Sequence, residues 1–508
     1  MIEYAIMARY KEIEKGQGLL LPVILREQLV SGTFEYALNE LLDNKIDLSI
    51  FDDKYKNDFT GAKAIEPRIL LKIILYCYSL GIITSRKISK MCENHIIVKA
   101  LSSETEPHYT TISNFVSGME EEIEKVFGEV LLVCHELKLI RGKMFAIDGC
   151  RLPSNASKEY SGTKEELSAK YEKLKKMIRE IMKKHRENDR IGKKEKDKEK
   201  KKLKTLRKKA DKILDFLNTH EDRRGASGEI VKSNITDNES GKIKGPHGMI
   251  QGYNGIAVAD DKSQIIIAAN AYGSVAEAQF FGEMLEHTEV NMKLISEEKK
   301  PMKGTIMLSD NGNFSEDNLQ KSKSMGIEAV IPDEQFRNRD EQIKDGKRRK
   351  GKDRFDIRHF KYNKKENSFI CPNGKKLVYK GRVKLNRNEG DKYECKVSDC
   401  DGCPFIDKCV RGKKSGKKKG RLLYIPVLKY KKNLSQQMRE KIDTPKYKKL
   451  YSNRLKIIEP VFADITYCKG MTRFTLRGQK KVGIQWKLFC IVHNIGKCIM
   501  IKRKKRAA

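Results

Sequence analysis

Residues 304–313, GTIMLSDNGN, are the stretch on which the reading of the fold turns. Three apolar residues, Ile306 to Leu308, run into Ser309, Asp310 and an Asn-Gly pair. A short apolar run closed by turn formers reads as a buried strand, here with Asp310 at its tip. Upstream, MFAIDGC (Met144 to Cys150) has the same character and carries Asp148 at its end. Asp-Gly is also a common turn, so that second reading stays open at 148–149. Between the two acids, GMIQGYNGIAVADD and SQIIIAANAYG read as two strands joined by a turn at Asp260-Asp261. Ala276 to Met292 reads as a helix, and SEDNLQKSKSMG, capped by Ser315, leads into the strand IEAVIPD. Strands connected by helices, with acids at their tips, argue for an α/β sheet whose binding groups gather at strand ends.

A third acid stands downstream in YSNRLKIIEPVFADITYCKGMTRFTLRGQKKVGIQWKLFCIVHNIGK (Tyr451 to Lys497). Glu459 lies in a mostly apolar helical run among arginines and lysines. Burying such an acid is costly unless a cation pairs with it. A single salt-bridged Glu on an amphipathic helix meets that requirement; so does a divalent metal shared with a nucleic-acid phosphate. Two aspartates from adjacent strands and a helical glutamate can hold two Mg²⁺ or Mn²⁺ ions about 4 Å apart for in-line attack on a phosphodiester. Asp148, Asp310 and Glu459 are therefore the candidate catalytic and metal-binding residues. Arg454, Arg473, Arg477, Lys480 and Lys481 are candidates for phosphate contact, or else a solvated basic face. Val482, Trp486, Phe489 and Val492 step by four, three and three, which puts the single Trp in the core. His493 reads as a structural hydrogen-bonder.

Composition narrows the partners. The 508 residues carry 105 Lys+Arg against 69 Asp+Glu, a net charge of +36, which attracts polyanions and nucleic acid above all. Anionic membranes are the competing partner, but the longest apolar run, Ile69 to Ile83, is interrupted by Lys72, so no membrane is expected. With no signal peptide evident, the expected location is cytoplasmic and nucleoid-associated. Residues 1–140 read as helices: Pro67 starts one that Gly81 can close, Ser85 can cap a second, and Thr110 a third. Short helices with tight turns fit a helix-turn-helix reader, with Thr111, Ser113 and Asn114 facing DNA, or a plain helical bundle. Apolar residues in two heptad stripes over 164–217 suggest an antiparallel helical hairpin about a turn at Asn188 to Gly192; its run KKEKDKEKKK reads as a solvated helix or frayed turn, with DNA contact by its lysines as the alternative. From 336 to 430 the chain reads as basic and irregular. Cys371, Cys395, Cys400, Cys403 and Cys409 fall there, and the C-x2-C spacing predicts structural Zn²⁺ on four of these five. The expected divisions are a DNA-binding domain at 1–140, a core at 141–335, the Cys-rich insertion at 336–430, core helices at 431–500 and a disordered basic tail at 501–508.

These segments together resemble a bacterial insertion-sequence transposase of the DDE class. The resemblance rests on EPRILLKIILYCYSLGIITSRKISKMCENH and HYTTISNFVSGM in the helical part, and on MFAIDGC, IQGYNGIAVADDKSQIII and IMLSDNGNFSEDNL in the core. EPVFADI, RFTLRGQKKV and HNIGK resemble the glutamate region. The family implies an α/β ribonuclease-H-like core, metal-dependent end cleavage and strand transfer, double-stranded DNA as end and target, and a homodimer on DNA. It also implies Asp148, Asp310 and Glu459 as the triad, with Tyr451 and Arg454 on the glutamate segment. This sequence departs from the pattern in three places. Thr466 stands where a Lys is expected, with Lys469 one turn on; Glu277 stands where an Asp is common; and Pro460 follows Glu459 directly. Two rival readings are a DNA-binding relic or regulator without catalysis and a ribonuclease-H-like nuclease without strand transfer.

Overall fold

The computed structural model describes residues 24–55, 63–187, 193–225, 228–245, 248–274, 277–339, 355, 357–385, 388–410, 420–426 and 434–507. Its central sheet contains β1 (Met144–Pro153), β2 (Gly241–Gly245), β3 (Gly248–Asp260), β4 (Ile266–Tyr272), β5 (Ile306–Ser309) and β6 (Glu328–Val330). The order is β6-β5-β1-β3, with β2 and β4 sharing the outer edge of β3 along successive halves. β5 and β6 run parallel to β1, whereas β3 pairs antiparallel with β1 and with β4. The register sets Ser309 opposite Ile147, so the residues that follow each, Asp310 and Asp148, emerge side by side. The Asp-Gly pair is not a turn. β1 continues to Pro153, and a Cβ on Gly149 would stand 2.5 Å from the Asn254 side-chain amide lying across it.

Around this sheet lie helices α1 (Phe34–Asn44), α2 (Pro67–Ser79), α3 (Ser85–Asn94), α4 (Ile96–Ser102), α5 (Tyr109–Gly118), α6 (Glu120–Glu136), α7 (Lys164–Glu187), α8 (Lys193–Thr219), α9 (Phe281–Ile295), α10 (Glu316–Ser324), α11 (Leu434–Ile442), α12 (Pro445–Ala463) and α13 (Gln479–Ala507). From Val482 to Ile495 α13 is buried on all sides except at Lys487, and its few buried polar side chains there, Gln485, His493 and Asn494, are hydrogen-bonded. Trp486 is fully buried there and donates its indole N–H to the Ile256 carbonyl at 3.0 Å. Asn494 exchanges two hydrogen bonds of 2.9 Å with the backbone of Ile266, extending β4 as a neighbouring strand would. One hydrophobic core runs from Leu38 on α1 through the sheet to Ile499 on α13. The helices before residue 140 therefore share the sheet's core and have none of their own.

Several local expectations need correction. α5 begins at Tyr109, capped by the His108 ring rather than Thr110. α9 begins at Phe281 and not Ala276, because Glu277–Gln279 form a separate 3-10 turn. The last helix runs on to Ala507, where a disordered tail was expected. α7 and α8 pair as the expected hairpin, while its turn at 188–192 and most of NRDEQIKDGKRRKGKDR lie outside the described residues.

The 336–430 segment is not irregular. β7 (Lys361–Asn363), β8 (Ser368–Ile370), β9 (Lys376–Leu385), β10 (Asn388–Cys395) and β11 (Leu422–Pro426) form a second sheet, each strand antiparallel to the next. It has its own small core of Phe360, Phe369, Leu377, Tyr393, Cys395 and Leu423. Arg339, at the start of this segment, bonds Asp333 at 2.6 Å and Asp443 beyond its far end at 2.7 Å. Entry and exit of the insertion are thus tied together.

Candidate active site

Asp148, Glu277 and Asp310 present ligand oxygens that all lie within 4.8 Å of one another, and among the described residues no other group of three does so. Asp148 comes from β1 and Asp310 from the end of β5; Glu277 comes from the turn between β4 and α9. Glu277 is buried, and its Oε1 accepts from Arg151 at 3.0 Å and from Asn254 at 2.9 Å. Burial raises its pKa, Arg151 opposes the shift, and Asp310 adds to it. Burial and the nearby Asp148 likewise raise the Asp310 carboxyl, with Arg454 opposing. Three acids this close repel one another and ask for a cation. Arg454 on α12 partly answers, donating to Asp148 Oδ2 at 2.6 Å while Tyr451 lies beside its guanidinium.

Other groups at the acids lack partners. Buried Asn254 Oδ1, Asn313 Oδ1 and Arg454 Nε make no hydrogen bond. A Cβ at Gly312 would stand 3.1 Å from Asp310 Oδ1 and 3.5 Å from Glu277 Oε2, so glycine leaves the space open. Hard carboxylate oxygens, an unused acceptor and a vacant cradle suit a divalent cation with its waters.

Glu459 is exposed on α12 and stands outside the 4.8 Å group. It is still close to the acid strand: burial, then Asp148, then Glu459 push the Cys150 thiol on β1 up to about 12. Pro460 lies within the helix, where its missing N–H deprives the Lys456 carbonyl of a partner. The Gln264 side chain supplies one at 2.9 Å. The helix then passes into a π turn at Asp464–Cys468. Lys469, the stand-in for the missing Lys, is buried and spends its ammonium on Asp464. His493 is fully buried and structural as expected, with its ring nitrogens 2.6 Å from Asp464 Oδ2 and 2.9 Å from the Gln264 carbonyl.

The remaining candidates fall into separate neighbourhoods. Ser113, Asn114 and Arg473 line a cleft of about 810 Å³ between α3, α5 and the loop at 470–476. Thr111 is half-buried on α5. Arg473 and Arg477 both bond Asn155, just beyond β1, at 3.1 and 2.9 Å. Lys480 and Lys481 are exposed at the start of α13, Lys480 being 3.7 Å from Glu120. In the insertion, Cys371, Cys400 and Cys409 pack against the core that contains Cys395, and Cys403 is half-buried. Backbone N–H groups of Lys375 and Arg421 point at Cys371 and Cys400 sulfurs, at 3.3 and 3.4 Å. Burial and the neighbouring Cys400 push the Cys395 thiol up to about 12. No three of these sulfurs close to within 4.8 Å.

Sequence reasoning passed over Glu277 as a ligand, along with its partners Arg151 and Asn254. The available signal was an acid just ahead of the helix that follows the third core strand.

Two family models match the chain, on either side of the segment that carries the three clustered acids. Residues 370–499 match the model described as a transposase DDE domain. Residues 24–118 match a transposase domain (DUF772). No curated protein matches the chain. No helix among the described residues is long and apolar enough to cross a membrane. Together these two matches, one near each end of the chain, indicate an insertion-sequence transposase of the DDE class.

Proposed function

We propose that the chain binds the terminal repeats of its mobile element and catalyses metal-dependent cleavage of those DNA ends and their joining to a target. The observation that carries this reading is the pair Asp148 and Asp310 on adjacent parallel strands, with Glu277 closing the group to 4.8 Å. A ribonuclease-H-like core is supported by the strand order, in which the antiparallel strands β1 to β4 are followed by the parallel β5 and β6, with α9 and α10 leading into them. Asp148, Asp310 and Glu277 would hold divalent metal, with Glu459 reaching in from α12. Such ions, when bound, sharpen a water or sugar hydroxyl as nucleophile and stabilise the leaving oxygen.

The chain's own side chains have the remaining tasks. Arg151 and Asn254 fix the Glu277 carboxylate through its Oε1 and leave its other oxygen to the site. Arg454 neutralises Asp148 and can turn to a phosphate, a charge-assisted exchange of one oxyanion for another. Arg473 and Arg477, held by Asn155, offer further phosphate contacts, with Thr111, Ser113 and Asn114 on α5 and Lys480 and Lys481 on α13. Two ends must be joined, so a homodimer on DNA is part of the proposal. The Cys-rich sheet is proposed to be a zinc-stabilised module, supported by the gathering of its thiols around one small core.

The test uses Asp148→Asn, Asp310→Asn, Glu459→Gln and Glu277→Gln in a Mg²⁺-dependent cleavage and joining assay on element ends. Each of the first three should lower the rate on the order of a thousandfold or more while end binding persists. Glu277→Gln should weaken Mn²⁺ binding measured by calorimetry as well as activity. Wild-type joining by Glu459→Gln would remove it from the triad, and undiminished joining by the Asp148 variant would sink the catalytic reading. Cleavage without joining by the wild-type chain would make it a nuclease.

A further inference from the structure

One strongly basic structure has no role in that mechanism. Residues 164–219, the α7–α8 hairpin, carry 22 lysines and arginines against 11 acids, a net +11 out of the chain's +36. Most of its apolar residues meet in the seam between the two helices, and among the described residues Leu214 is the one large apolar side chain left exposed. At the base Leu167, Ile213 and Phe216 are buried, with Tyr171, Leu174 and Leu217 packed against them. The outward faces are charged. Lys201, Lys204, Lys208 and Lys212 step by three, four and four along α8 and are all exposed, as are Lys176 and Arg179 on α7. At 1.5 Å per residue, 27 residues of α8 span roughly 40 Å, about the length of twelve base pairs.

The root of the hairpin is anchored beside the arginines proposed above for phosphate contact. It leaves the core just after Asn155, the residue that holds Arg473 and Arg477. On the return path Asp237 accepts from Gly478 N–H at 3.2 Å, and Glu239 accepts from Gln479 N–H at 2.5 Å. The basic rows thus continue outward from the arginine loop and the α5 cleft. Such a surface suits a long polyanion with regularly spaced charge; an acidic protein patch would need more apolar anchoring than the single exposed Leu214 among the described side chains.

We propose that the α7–α8 hairpin is a sequence-independent clamp on the sugar–phosphate backbone of duplex DNA lying beyond the α5 cleft. The proposal rests on the chain acting on DNA, and the experiment separates the two. Binding to a random-sequence 40-base-pair duplex is measured against salt for the full chain and for a variant with Lys201, Lys204, Lys208 and Lys212 all changed to Gln. A second variant replaces residues 165–221 by a short Gly-Ser linker, which the geometry permits because Lys164 N lies 2.8 Å from Asp222 Oδ1. The wild-type slope of log K on log salt should be steep, and the quadruple variant should lose about three to four units of it. Low-salt affinity for random duplex should fall by tenfold or more, with an unchanged thermal melting curve and an undiminished preference for element ends over random duplex. The linker variant should lose still more slope. A steep wild-type slope that both variants keep would overturn the clamp and leave the DNA reading intact. Loss of self-association in the variants with the slope unchanged would equally overturn it, making the arm a protein contact. A wild-type chain with no salt-dependent duplex binding would remove the DNA reading and the clamp with it.

Discussion

The central sheet and the sheet of the insertion differ in what holds them together. The first lies under α13 and α9 with Phe145, Tyr253, Tyr272 and Trp486 fully enclosed, so apolar burial alone can stabilise it. Among the described residues the second has a hydrophobic core of six buried side chains, and one of those is Cys395. A core that small rarely sustains a fold without a cross-link or metal, and the surrounding thiols are the material for one. Within one chain, then, the central part is secured by packing, and the insertion is proposed to be secured by chemistry.

That contrast can be broken at either end. Trp486→Ala should destabilise the whole chain by about 3–5 kcal/mol, since it empties the centre of the shared core. Urea unfolding followed by circular dichroism would measure it, and a loss confined to the helices before residue 140 would show that they fold apart from the sheet. Removing metal should act locally. A strong chelator, or Cys400→Ser with Cys403→Ser, should expose 340–433 to protease while the midpoint for the central core stays put. Protection that persists after complete chelation would mean that the second sheet needs no metal.

A smaller effect tests the polar part of the central core. Burial would raise the Asp464 carboxyl, but His493 and Lys469 outweigh it and hold the pKa at about 2. A pKa lowered on folding adds stability above the unfolded value near 3.9, and this is lost as pH falls toward 2. The contribution should be about 1–2 kcal/mol. Asp464→Asn should therefore flatten the stability profile between about pH 4 and 2 and leave the metal-dependent protection of the insertion unchanged. An unaltered acid limb in that variant would remove Asp464 from the linkage.

The two halves of this comparison were unequally legible. Short apolar runs ahead of Asp148 and Asp310 announced both strands, although only Asp310 stands at a strand end, since β1 runs on past Asp148 to Pro153. The α7–α8 pairing followed from its heptad stripes. The second sheet was hidden because β9 breaks register between Tyr379 and Arg382 and lysines interrupt its alternation, so no period-2 pattern survives. Glu277 was hidden for another reason. Its significance comes from Arg151 and Asn254, which only the β1–β3 pairing brings to it, and nothing in SVAEAQ foretells that meeting. Glu459 was legible as an acid on a helix, but its distance from the aspartates depended on how α12 crosses β1.

The Arg339 clamp has a consequence in polymer terms. Because Arg339 grips both Asp333 and Asp443, the insertion enters and leaves the core at one point, as a closed loop of roughly a hundred residues. The entropy of closing such a loop grows only with the logarithm of its length, so the core feels almost the same constraint whether the loop is folded or melted. The second sheet can therefore unfold, refold or be exchanged for another module of different size without pulling on the strands that carry the carboxylates.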